Sequence, residues 1–172
     1  MATFFLTALV TVVVHNTAAL PDATVTRVEA NVERLFTGSG LTVTWAAAAT
    51  AADGFTIHVM IRRQPGGGPG SESPSATGTT IGEDHSRGGV SFVFYERVVT
   101  LAHRYHEPVD LILAYTIAHE MGHELLPAPA HSPSGLMKAE WDGDDIRRLT
   151  TGGELFTGQQ IALIQRAVER DR

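Results

Sequence analysis

The chain reads as one mixed α/β domain of the α+β kind, with a single mixed, twisted sheet and a buried helix that carries its chemistry. Three observations predict this. Leu41, Val43 and Trp45, then Phe55, Ile57, Val59 and Ile61, then Val90, Phe92 and Phe94, alternate with the two-residue period of half-buried strands. Val25, Val28, Val32 and Leu35, and later Ile161, Ile164 and Val168, recur instead at helical spacing. Between these sets, Val109 to Leu126 is apolar nearly all round, as expected of a helix enclosed by the rest of a domain.

The elements follow in order. Phe4 to Val14 is rich in valine and threonine and suits a buried first strand. It has the look of a secretion signal, but its first basic residue is Arg27 and no small-x-small site follows. It is also too short to span a bilayer, so the expectation is a strand with leftover leader residues in front. A helix begins after Pro21-Asp22 and ends at Gly38 and Gly40. Leu41 to Trp45 is the second strand, and an alanine-rich linker leads to the third at Phe55 to Ile61.

Residues 62–89 are crowded with glycine, proline and serine, which predicts a flexible loop, disordered over Pro65 to Ser75. A short strand is expected within it, around Thr79-Thr80-Ile81. After the Val90–Phe94 strand, a short helix from Arg97 to Tyr105 stops before Pro108, which opens the Val109–Leu126 helix. Thr157-Gly158-Gln159-Gln160 has capping-box form and starts the last helix. No repeat or internal boundary is visible, so residues 1–172 form one domain.

Composition narrows the function classes. With 43% apolar and 19% charged residues, the chain is an ordinary globular sequence, long enough for a real core. Its net charge of −6 argues against a nucleic-acid partner, which needs a basic face. There is no cysteine, so disulfides and thiolate metal ligands are excluded. No stretch reads as a transmembrane segment.

The chemistry concentrates in His119-Glu120-Met121-Gly122-His123. On a helix, residues four apart lie one above the other, so His119 and His123 can point two imidazole nitrogens at one metal ion. Glu120, one step round, can reach a water on that ion without being a ligand. Burying three such groups on one turn costs several kcal/mol unless they are paired or bound to metal. Two histidines leave a catalytic zinc one protein ligand short. Pro127 and Pro129 cannot continue the helix, so the chain turns and can bring His131 back. Glu140 or Asp142, or water, could complete the set instead. The other histidines (His15, His58, His85, His103 and His106) read as surface or hydrogen-bonded residues. Tyr95, Tyr105 and Tyr115 could in principle stabilise an oxyanion, but nothing in the sequence selects one.

The segment from Ala118 to Met137 resembles the metzincin metalloproteases, whose pattern is H-E-x-x-H-x-x-G-x-x-H followed by a methionine turn. It is similar also to small bacterial metzincin-like proteins with A-H-E-x-G-H, a short loop to H-S-x-x-G-x-M and a closing helix. The resemblance implies metal ligands His119, His123 and His131, the general base Glu120 and the turn methionine Met137. The step from His123 to His131 is two residues longer than the pattern, with Leu126 where the family has glycine and Pro129 where it has its last histidine. Glu140 as third ligand would make the site resemble the gluzincins instead.

What the resemblance implies is one catalytic Zn2+ and hydrolysis of a peptide or protein substrate. The Val90–Phe94 strand would lie at the sheet edge beside the cleft and pair with substrate. An extracytoplasmic location is implied too, since such proteins tend to be exported. The same residues would serve a zinc hydrolase of a non-peptide amide or ester. A non-catalytic, zinc-stabilised binding module would keep the histidines and have no need of Glu120.

Overall fold

A computed structural model describes residues 8–37, 39, 41–46, 55–64, 76–81, 89–153 and 155–169. They form a five-stranded mixed sheet and five helices. The strands are β1 (Ala8–Asn16), β2 (Leu41–Ala46), β3 (Phe55–Arg62), β4 (Gly78–Ile81) and β5 (Val90–Phe94). The helices are α1 (Asp22–Phe36), α2 (Tyr95–Tyr105), α3 (Val109–Leu125), α4 (Gly143–Thr150) and α5 (Gly158–Glu169). Residues 4–7 of the expected first strand and most of the 62–89 loop, including Pro65 to Ser75, lie outside the described residues.

The sheet order is β2-β1-β3-β5-β4, parallel throughout except for the β4–β5 pair. Register sets its two faces, because side chains alternate along each strand. Val12 stands beside Ile57, Val59 beside Ser91 and Ile61 beside Val93, and all six are buried. β4 continues that face with Thr80 beside Ser91 and Gly78 beside Val93.

Helix α3 is the hub of the domain and touches α1, α2, α5 and three strands, β3, β4 and β5. Ile112, Leu113, Ala114, Ile117, Ala118 and Met121 are all at most 1% exposed, which matches the all-round apolar sequence. A helix so enclosed keeps its side chains in fixed directions, a useful property for groups that must converge on one point. No helix of the described residues is long and apolar enough to cross a membrane.

Two expectations are corrected. The Val90–Phe94 strand is not at the sheet edge: β5 lies between β3 and β4, and the edge is β4. The helix expected from Arg97 begins at Tyr95. In addition, α4 was not expected at all. Asp142 caps it, accepting the Asp144 and Asp145 amides while the Asp145 carboxylate takes the Asp142 amide in return.

Candidate metal centre

α3 supplies the first part of the site. His119 and Glu120 are buried and His123 is half-buried on the same helix. The His119 and His123 Nε2 atoms stand 3.1 Å apart. His119 Nδ1 lies 2.7 Å from the Leu136 carbonyl oxygen, which can only accept, so Nδ1 carries the hydrogen. That bond leaves the lone pair on Nε2, facing His123. Burial, with the neighbouring His131 acting the same way, pushes His119 down to about 4 against the Leu136 bond, which acts in the other direction. The ring is therefore neutral at ordinary pH, as a metal ligand must be.

The loop after α3 supplies the second part. Leu126 takes extended backbone, the helix ends, and Pro127 and Pro129 follow. The chain then doubles back: the Ser132 amide donates to the Met137 carbonyl at 2.9 Å, and Gly135 has a φ of 75° that favours glycine. Leu136 is pinned by its amide to the Leu155 carbonyl at 2.8 Å, which fixes the oxygen that orients His119. The exposed His131 ring ends 4.7 Å from His123 and 5.5 Å from His119, centroid to centroid. One nitrogen from each of the three histidines lies within 4.8 Å of the others, close enough to hold one metal ion.

The fit to a metal rests on the donor set. Two ring nitrogens 3.1 Å apart can share an ion about 2.0–2.1 Å from each. Three imidazoles and no thiolate suit zinc and its borderline neighbours. Among the described residues Glu140 does not join this group, although it lines the same cleft. Asp142 is occupied as the cap of α4 and as a partner of Lys138 at 3.1 Å. Met137 is fully buried with its sulfur against Gly122, the residue before His123, where a side chain would collide with it.

The cleft over these residues has a volume of about 500 Å³. Ala76 to Thr80 form one wall, Leu101 and Arg104 of α2 another, and Lys138 to Trp141 a third. None of Tyr95, Tyr105 and Tyr115 lines it, and the Tyr115 hydroxyl donates instead to the Leu149 carbonyl at 2.8 Å. Trp141 meets the His119 ring edge-on at 5.5 Å, and its indole N–H donates to the same Leu136 oxygen at 3.2 Å. Glu120 is 4% exposed, and burial pushes its carboxyl up to about 8, against the Thr80 hydrogen bond and with the nearby Glu124 acting in the same direction as burial. A divalent cation at the histidines would favour the ionised form and oppose that rise.

Sequence reading missed Thr80 and Trp141, which bond to Glu120 and to the Leu136 carbonyl that orients His119. No local pattern marks either residue, since both contacts join segments far apart or turn on a backbone oxygen. Neither the protein-family models nor the curated proteins compared with this chain give a match.

Proposed function

We propose that the protein is a zinc-dependent metalloendopeptidase of the metzincin type, with His119, His123 and His131 as ligands and Glu120 as general base. The observation that carries the reading is the convergence of three histidine nitrogens beside a glutamate that follows the first of them in sequence. A module that only stored a structural ion would gain nothing from the buried carboxylate, whose desolvation is costly.

When bound, the ion supplies Lewis acidity and brings the pKa of a water in its open position towards 7. The chain's own groups do the rest. His119 is held in one tautomer by Leu136, so its donor nitrogen faces the site at all times. Glu120 takes the proton of the attacking water as the carbon–oxygen bond forms. It then delivers that proton to the amide nitrogen as the carbon–nitrogen bond breaks. Met137 closes the site from beneath and excludes water there.

The cleft also suits an extended substrate. β4 is paired with β5 on one side and ends the sheet on the other, so its outer amides and carbonyls belong to no strand of the described residues. A peptide can lie along such an edge by backbone hydrogen bonding alone. The role that the resemblance implies for the Val90–Phe94 strand falls, on this reading, to β4.

The test uses zinc-loaded protein, atomic absorption and a quenched-fluorescence peptide library. The expected result is one zinc per chain and cleavage of some library members, with Glu120→Gln keeping the zinc and losing about 10²–10⁴-fold in turnover. Stoichiometric zinc with no cleavage of peptides, amides or esters would replace the enzyme reading with that of a binding module. Cleavage of small esters or amides but of no peptide would move the substrate class.

A further inference from the structure

The Thr80 side chain makes the polar contact that orients Glu120, and it comes from the strand at the sheet edge. Its Oγ1 lies 2.8 Å from Glu120 Oε2, 3.3 Å from the Glu120 carbonyl oxygen and 3.0 Å from Ser91 Oγ. A hydroxyl has one proton to give, and the ionised carboxylate that a cation at the histidines would favour can only accept. The closest carboxylate contact therefore takes the Thr80 proton, and the fully buried Ser91 donates its own to Thr80. The resulting chain runs Ser91 to Thr80 to Glu120, from β5 through β4 to α3.

Gly78, on the same face of β4 two residues earlier, makes this approach possible. A Cβ there would stand 2.5 Å from Glu120 Oε1 and 2.8 Å from two of its carbons. The carboxylate is thus seated against bare backbone at Gly78 and held by a hydroxyl at Thr80. The strand is fastened in turn by its pairing with β5 and by Arg97, whose guanidinium donates to the Ala76 carbonyl at 2.7 Å.

We propose that Thr80 is a positioning residue for the base, fixing the Glu120 carboxylate in the direction from which it serves the metal's open position, with Gly78 providing the room. This rests on the reading of Glu120 as the base. It also ties the base to β4, the strand that ends the sheet of the described residues, so that one short element both borders the substrate path and aims the proton acceptor. A placed group loses heavily when misdirected: an error of about 1 Å can cost on the order of 10²-fold.

The test compares Thr80→Val, Thr80→Ser and Gly78→Ala with Glu120→Gln, all loaded with zinc. Valine keeps the volume and branching of threonine and removes the hydroxyl, while serine keeps the hydroxyl. Two quantities are measured by calorimetry: zinc affinity, and affinity for a small acyl hydroxamate, which binds a catalytic zinc while its hydroxyl faces the base. Thr80→Val and Gly78→Ala should keep zinc and lose roughly 10- to 100-fold in hydroxamate affinity, and Thr80→Ser should stay near wild type. Glu120→Gln should lose at least as much as Thr80→Val.

On the best-cleaved library peptide, Thr80→Val should lower kcat with KM nearly unchanged. If Glu120→Gln weakens the hydroxamate and Thr80→Val does not, Thr80 has no positioning role. If Glu120→Gln binds it as the wild type does, or the wild type does not bind it, the assignment of Glu120 as base fails and takes this proposal with it. Equal losses in Thr80→Ser and Thr80→Val would make the residue a packing contact only.

Discussion

His119 and His123 in α3, and His15 and His58 on the sheet, bring ring nitrogens to the same separation of 3.1 Å. Their surroundings differ in what decides whether such a pair can hold a metal. The sheet pair joins β1 to β3, half-buried, with rings stacked at 28°. A single N–H···N bond between the two rings satisfies both atoms there. Among the described residues, no third histidine or carboxylate closes on it.

The helix pair meets His131 at its open side, and one member's tautomer is set by Leu136 from behind. Separation alone does not define a metal site. The third donor and the fixed lone pair do.

His123→Ala removes one of the three converging nitrogens and should weaken zinc binding by more than the roughly 10–100-fold typical of changes behind metal ligands. His58→Ala should leave one zinc per chain with unchanged affinity. Chelator competition with atomic absorption measures both. Equal losses would mean that zinc bridges the sheet pair as well, or that neither pair is the site.

Much of this contrast was legible in the sequence. The turn spacing of His119 and His123, the all-apolar helix around them and the proline-broken loop to His131 and Met137 are local features, and the structure brings those three histidines together. Strand order was not legible. The short strand around Thr79-Thr80-Ile81 is visible in the sequence, but four residues carry no signal of which neighbour they pair with, and the edge role of Val90–Phe94 rests on the resemblance alone.

The α4 helix could have been read. Asp142-Gly143-Asp144-Asp145 carries its cap, and Ile146 and Leu149 its buried face. Contacts such as Thr80 with Glu120, forty residues apart, exist only once the sheet edge has closed on α3.

Protonation separates the helix site from the sheet pair further in metal-free, chelated protein. Glu120 is raised from 4.5 to about 8, so its contribution to stability is fully present below pH 4.5 and lost as pH rises through 8. His119 is lowered from 6.5 to about 4, so its contribution is present above 6.5 and lost as pH falls towards 4. The two oppose each other between 4.5 and 6.5, and above 6.5 only the glutamate acts. His58, lowered by partial burial and then by His15, shares the sign of His119 and also does nothing above 6.5.

The chelated protein should therefore lose on the order of 1–2 kcal/mol between pH 6.5 and 8, a fall of a few degrees in Tm. Glu120→Gln should flatten that slope, and His58→Ala should not. Zinc should reverse it, since metal binding releases protons and strengthens with pH. A slope that survives Glu120→Gln would place the titrating group elsewhere.

The smallest effect tests what stands behind the ligand. Trp141 shares the Leu136 oxygen with His119 and packs edge-on against the same ring. No comparable group among the described hydrogen bonds orients His15 or His58, which bond to each other. Trp141→Phe keeps an aromatic edge against His119 and removes only the indole N–H. The carbonyl retains its bond to His119, so the ligand stays in place but is held less firmly. Changes behind a ligand cost roughly 10- to 100-fold in affinity, and the low end, near 10-fold, is expected here because the main bond remains. The loss should show as faster zinc release to a chelator, with thermal stability of the chelated protein little changed. Unaltered release would mean that Leu155, which pins Leu136 through its amide, already holds that carbonyl without help from the indole.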